Sequence, residues 1–226
     1  MSDYTRSVMP YFELSKTDQN FPPAHFADHE GMLAVGGNMS KELLLKAYAQ
    51  GIYYWHHPMK YVKWWSPDPR IILRLPVQQK KNGSSIRVEQ LLTTEKFDSV
   101  LDHYESLNHK TAAVDWNWLP ARMRRIFSAL FKEQQVYAYG FYRENELRGG
   151  LFGYANGEVF MGEYLWATSV NERLSGLTVV TELLAKQGFT LIDMHKPGFY
   201  CDRLCCEEMS RLEFTSLCKR QNTAKP

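Results

Sequence analysis

A chain of 226 residues that is 44% hydrophobic and 23% charged has the composition of a folded protein with one large core or two modest ones. No apolar run reaches membrane-spanning length, and Met1-Ser2-Asp3-Tyr4-Thr5-Arg6 lacks the basic head and apolar core of a signal peptide. A cytoplasmic protein with no membrane partner is expected, and a net charge of +2 excludes a bulk polycation.

Residues 1 to about 30 are mixed and show little periodicity. Ser40 is an N-cap for a helix carrying Leu43, Leu44 and Ala47, with Glu42 in its first turn and Gly51 past its end. Ile71 to Leu75 reads as a strand, and Lys80 to Ser85 as a turn or connector. A boundary near residue 70 gives a small N-terminal domain over 1–69 and a second domain over 70–226. Thr94 caps a helix with Phe97, Val100, Leu101 and Tyr104 on its apolar face. The next helix starts near Pro120 and carries Met123, Ile126, Phe127, Leu130 and Phe131. The period then falls to two. Val136–Tyr142, Leu147–Tyr154 and Glu158–Leu165 form a meander turning at Glu144-Asn145-Glu146 and Asn156-Gly157.

Asn171 opens a further helix over Leu174, Leu177, Val180, Thr181 and Leu184, with Gly188 beyond its end. Phe189 to His195 is a strand, Arg203 to Leu217 a late helix, and Gln221 to Pro226 a polar tail. Two helices, an antiparallel meander, a helix, a strand and a helix resemble an acyltransferase of the N-acetyltransferase (GNAT-like) type. The class is α/β (α+β).

Several segments resemble the bacterial leucyl/phenylalanyl-tRNA–protein transferases. The most specific is Trp64-Trp65-Ser66-Pro67-Asp68-Pro69-Arg70, preceded at the expected spacing by Leu33 to Ser40 and Gly51-Ile52-Tyr53-Tyr54-Trp55. Glu146 to Gly153, Gly162-Glu163 and Leu191-Ile192-Asp193-Met194 extend the likeness into the second domain. The resemblance implies transfer of an amino acid from aminoacyl-tRNA to the N-terminal amine of a protein. The ester is already activated, so no cofactor and no metal are expected. The attacking amine must lose a proton and the departing ribose oxygen must gain one. The chain is expected to act as a monomer.

Asp193, at the C-terminal part of a core strand, matches the family's catalytic aspartate, which deprotonates or orients the amine. A strand-end Asp capping the next turn is the bland alternative. His195 stands where the family ordinarily has glutamine, and lies on the same face if the strand persists. An imidazole titrates near neutrality and is a competent base. Glu163 matches a glutamate that holds the amine by a charged hydrogen bond, and it shares strand parity with apolar Met161 and Leu165. Trp55, Leu151, Phe160, Leu165 and Trp166 fall where the family lines its side-chain pocket. Leu151 and Leu165 replace methionines, which sharpens the shape of that pocket.

Arg122, Arg124, Arg125 and Lys132 form the densest basic segment and are the candidates for tRNA contact; a solvated helix face reads equally well. Tyr164, Ala167, Arg173-Leu174, Pro120-Ala121-Arg122 and Arg203-Leu204-Cys205 depart from the family pattern near the expected tRNA-end and acceptor surfaces. Those departures leave open a small-molecule or specialised peptide acceptor, or a non-catalytic tRNA-binding descendant. Acyl-coenzyme A is disfavoured as a donor, because Ala167 to Leu174 contains no glycine for a pyrophosphate loop. Cys201, Cys205, Cys206 and Cys218 are all late; Cys201 and Cys205 beside His195 suggest a metal cluster, but buried thiols are the favoured reading.

Overall fold

The computed structural model describes residues 11–55, 61–77, 86–111, 118–195, 198 and 201–223. The predicted connector at Lys80 to Ser85 lies outside these residues. Four short strands come first, where the sequence shows little strand pattern. They are β1 (Phe12–Leu14), β2 (Met32–Gly36), β3 (Tyr53–Trp55) and β4 (Lys63–Trp65), in the sheet order β1-β2-β4-β3. Three to five residues are too few to display alternation, and β2 is largely buried. Gly36 follows a tight path: its φ is +91°, and an added Cβ would lie 2.5 Å from the Leu14 carbonyl oxygen.

Helix α1 (Lys41–Ala49) forms as its sequence predicts. The Ser40 hydroxyl accepts from the Leu43 amide at 3.1 Å, and Leu43, Leu44, Ala47 and Tyr48 are buried.

The second sheet has seven strands in the order β11-β5-β10-β9-β8-β7-β6. These are β5 (Arg70–Arg74), β6 (Arg87–Gln90), β7 (Val136–Arg143), β8 (Glu146–Asn156), β9 (Val159–Ala167), β10 (Leu191–His195) and β11 (Glu207–Met209). The antiparallel β7-β8-β9 meander lies where its alternation predicts. Helices α2 (Thr94–Thr111) and α3 (Trp118–Lys132) share a core on one face with α1 and the N-terminal sheet. Helix α4 (Val170–Lys186) packs on the other face through Leu177, Val180 and Leu184. Thr93 and Ser169, rather than Thr94 and Asn171, supply the capping oxygens, accepting from Lys96 and Glu172 amides at 3.4 and 3.2 Å. The structure therefore has the mixed α/β, N-acetyltransferase-like order of elements.

The single late helix predicted over Arg203–Leu217 is corrected. It divides into α5 (Cys201–Leu204), strand β11 and α6 (Arg211–Thr223). Cys205 at φ +54° ends the first piece. The Ser210 hydroxyl accepts from the Glu213 amide at 3.3 Å, while Glu213 Oε2 accepts from the Ser210 amide at 3.1 Å. That capping box restarts the helix, and between the two pieces β11 pairs with β5.

Candidate active site

Strands β9 and β10 run parallel from the Leu191–Val159 pair to Asp193–Met161, where their ladder ends. Both strands are irregular just beyond that point. On β9 the register passes from Gly162–Gly153 to Tyr164–Phe152, leaving Glu163 as an extra residue. On β10 it passes from Asp193–Ile72 to His195–Ile71, and His195 has φ +62°. Bulges bend a strand and re-aim its side chains, so Glu163 and His195 are turned where the two strands part. The extra residue also corrects the shared parity expected of Met161, Glu163 and Leu165. Met161 belongs to the α2–α3 core, whereas Leu165 packs against the α4 core.

Asp193 is fully buried, and all its contacts are made inside the protein. Oδ1 accepts from Arg70 Nε at 2.7 Å and from the His195 amide at 2.9 Å. Oδ2 accepts from Arg70 Nη2 at 2.5 Å and lies 2.9 Å from His195 Nδ1. Burial pushes the carboxyl pKa up. The Arg70 charge, then His195 and the hydrogen bonds, outweigh burial and hold it well below the usual carboxylate range. Saturated and strongly acidic, Asp193 is a poor proton acceptor for an incoming amine.

The same contacts define the histidine. A carboxylate has no proton to give and a guanidinium has no acceptor. Nδ1 lies 2.9 Å from Oδ2, which can only accept, and 3.4 Å from Arg70 Nη2, which can only donate; the shorter contact favours the tautomer with hydrogen on Nδ1 and the lone pair on Nε2. The ring is stacked on Tyr53, with centroids 4.1 Å apart and planes 16° from parallel. Sequence reasoning anticipated Asp193 and His195 but missed Arg70 and Tyr53 as parts of this site. Their signal was present in the two N-terminal motifs, which end on Arg70 and contain Tyr53.

Glu163 Oε1 is sealed from solvent and makes no hydrogen bond of normal geometry among the described residues. Burial raises its pKa, and the Asp193 charge adds to the shift; His195 and the Tyr48 and Tyr54 hydroxyls oppose it. A raised pKa means that the folded state holds the proton more tightly, so stability falls as pH rises from the ordinary carboxylate value through the folded one. Glu163→Gln is expected to raise the denaturation midpoint near neutral pH. Chemical denaturation across pH checks this: the gain should shrink toward acid, and a gain that grows toward acid contradicts it.

The four predicted pocket residues whose side chains are described do not converge. Leu151 pairs with Leu165 across the β8–β9 ladder, and with Phe160 they lie in the α4 core. Trp166 lies in the opposite core, stacked on His103 at 3.6 Å; His103 Nδ1 is 2.8 Å from the Tyr164 hydroxyl. Trp55 ends β3, and its side chain lies outside the described residues.

The basic candidates also divide. Arg122 donates to Asn38 Oδ1 at 2.7 Å and to the Met39 carbonyl at 3.1 Å, while Arg124 donates to Asp102 at 2.6 Å. Arg125 and Lys132 are exposed. All four cysteines are free, and only Cys218 is buried, so the expectation of buried thiols is corrected for the other three. Among the described residues, no group of three or more His, Cys, Asp and Glu side chains is arranged to hold a metal ion. None of the described helices is long and apolar enough to cross a membrane.

Comparison with known proteins places the chain in a family. The profile for leucyl/phenylalanyl-tRNA protein transferase matches residues 76–219, and that for its N-terminal domain matches residues 37–68. A leucyl/phenylalanyl-tRNA–protein transferase of Syntrophobacter fumaroxidans is 34% identical over 215 residues, covering 92% of this chain and 90% of the relative. Another, of Pseudomonas aeruginosa, is 30% identical over 220 residues, covering 94% and 96%. Among solved structures, an aminoglycoside acetyltransferase from a soil metagenomic sample is 15% identical with a TM-score of 0.38, covering 63% of this chain and 91% of that one. With both domain profiles matched in order and relatives aligned along nearly their whole length, the chain belongs to the leucyl/phenylalanyl-tRNA–protein transferase family.

Proposed function

We propose that this aminoacyltransferase moves an apolar amino acid from aminoacyl-tRNA to the N-terminal amine of a protein or peptide, with His195 as the proton carrier. The observation behind this reading is the Nδ1 contact to a carboxylate that is otherwise fully engaged. Nε2 takes a proton as the amine nitrogen bonds to the ester carbonyl carbon. When the resulting tetrahedral centre collapses, the carbon–oxygen bond to the ribose breaks, and the same nitrogen returns the proton to the departing oxygen. The products are a peptide bond and a tRNA with a free terminal hydroxyl. Asp193 acts through His195, as an orienting anion.

Glu163 holds the acceptor amine, and its lack of a hydrogen-bond partner for Oε1 supports that role. The family resemblance assigns Trp55, Leu151, Phe160, Leu165 and Trp166 to the transferred side chain; with Leu151, Phe160 and Leu165 on the α4 face of the sheet and Trp166 on the other, the described members form no single pocket without rearrangement. Residues 1–69 act as an N-terminal domain and 70–226 as the transfer domain. The protein works in the cytoplasm, as a monomer, without a cofactor. Incubating charged leucyl- or phenylalanyl-tRNA with a peptide bearing a basic N-terminal residue should yield an extended peptide. The N-acetylated version of that peptide should yield none, and equal transfer to both would overturn the acceptor assignment.

Arg125 and Lys132 are the members of the basic segment assigned to tRNA phosphates, since Arg122 and Arg124 tie α3 to Asn38 and to α2. Replacing both Arg125 and Lys132 with glutamine should weaken tRNA binding and lower the slope of log affinity against log salt by about two. An unchanged slope in a salt titration would return them to a solvated helix face.

A further inference from the structure

The buried cation at the end of the Pro-framed turn has no part in the proton transfer described above, yet it touches every group that orients the histidine. Arg70 is 1% exposed. Its Nε and Nη2 grip Asp193 at both oxygens, Nη1 donates to the Gly51 carbonyl at 3.2 Å, and Nη2 also lies 3.4 Å from His195 Nδ1, longer than the 2.9 Å from that nitrogen to Asp193 Oδ2. The guanidinium carbon lies 4.6 Å from the centroid of the Tyr53 ring and 4.5 Å from that of Phe214. Tyr53 is also the ring that stacks on His195. A planar fork held between two aromatic rings fixes the plane of the carboxylate it grips.

We propose that Arg70 is a positioning residue for the transfer reaction: by fixing the Asp193 carboxylate, it selects the tautomer of His195 that carries hydrogen on Nδ1. This rests on the reading of His195 as the proton carrier. A carboxylate free to rotate would not fix which ring nitrogen is protonated, and the tautomer with hydrogen on Nε2 has no lone pair there for an amine proton. The arrangement spans the fold. Gly51 and Tyr53 come from the N-terminal part, Arg70 opens the second sheet, and Phe214 comes from α6. The N-terminal sheet thus reaches the chemistry both through the Tyr53 ring and through the guanidinium that the ring faces.

Lysine in place of Arg70 keeps the charge but loses the fork. Arg70→Lys should lower kcat about 10²-fold, the scale of a misplaced reacting group, with little change in KM. The direct readout is the 15N spectrum of the His195 ring, assigned by its disappearance in His195→Gln. In the parent protein at a pH where the ring is neutral, Nδ1 should be protonated and Nε2 bare; Arg70→Lys should show a mixture or the reverse. A parent spectrum with hydrogen on Nε2 overturns the proposal and needs no variant to fold. So does a folded Arg70→Lys protein that keeps the parent's tautomer, whatever its rate. The proton-carrier reading fails separately, on the activity of His195 variants.

Discussion

Replacing His195 with alanine is expected to slow aminoacyl transfer by about 10²–10⁴-fold, the usual cost of losing a positioned acid–base group. The reasons are local. Asp193 has both oxygens engaged by Arg70 and His195, and its proton affinity is driven well below the carboxylate range. Glu163 is assigned to hold the amine through Oε1, and burial raises its carboxyl pKa. With the imidazole gone, water would have to take the proton from the amine and return it to the ribose oxygen. Binding of charged tRNA should remain near the parent's, because His195 is 8% exposed and makes its contacts within the site. Single-turnover rates with parallel binding measurements separate the two effects. Loss of both together would indicate a collapsed site instead.

Asp193→Asn should lose both activity and stability. The amide is nearly isosteric, but its NH₂ group can donate to Nδ1, which favours the tautomer that carries hydrogen on Nε2. A rate loss of about 10²–10⁴-fold is expected on that ground. The stability cost arises from Arg70, left as an uncompensated charge at a 1% exposed position; breaking a buried pair this way typically costs about 3–5 kcal/mol. The pH dependence has a definite sign. Because the folded carboxyl has a depressed pKa, its contribution is present above the unfolded value and is lost as pH falls through the folded one. The stability gap between parent and Asn variant should therefore narrow toward strong acid. A gap that widens there, or an Asn variant as active as the parent, contradicts the assigned role.

The elements that could be read from the sequence were those with long periodic patterns. The β7-β8-β9 meander repeats its alternation over three strands and turns at Asn156-Gly157, while α1 announces itself through Ser40 and its apolar stripe. Strands β1 to β4 could not be read in this way, since each is three to five residues long and is stabilised by distant partners. The helical spacing in 203–217 concealed β11, although Ser210 and Glu213 carried the capping signal.

For the site, the resemblance identified Asp193, His195 and Glu163, and the structure gathers them where β9 and β10 part. It could not give their orientation. A bulge adds one residue without marking the sequence, so the register change at Glu163 puts Met161 and Leu165 in different cores. Nor could local pattern pair Arg70 with Asp193, 123 residues away. The consequence of that pairing, a carboxylate that orients instead of accepting protons, follows only from counting its contacts.

Glutamine at position 195 separates the two roles that a ring nitrogen can play here. Its amide fills similar space and makes hydrogen bonds, but it does not accept a proton near neutral pH. The most direct measurement is therefore the single-turnover rate at which His195→Gln transfers leucine or phenylalanine from charged tRNA to a peptide amine, at saturating acceptor, beside the parent. The account predicts a loss of about 10²-fold or more with tRNA binding intact. A rate equal to or above the parent's would contradict it, and would make His195 an orienting partner in a reaction whose proton leaves by another route.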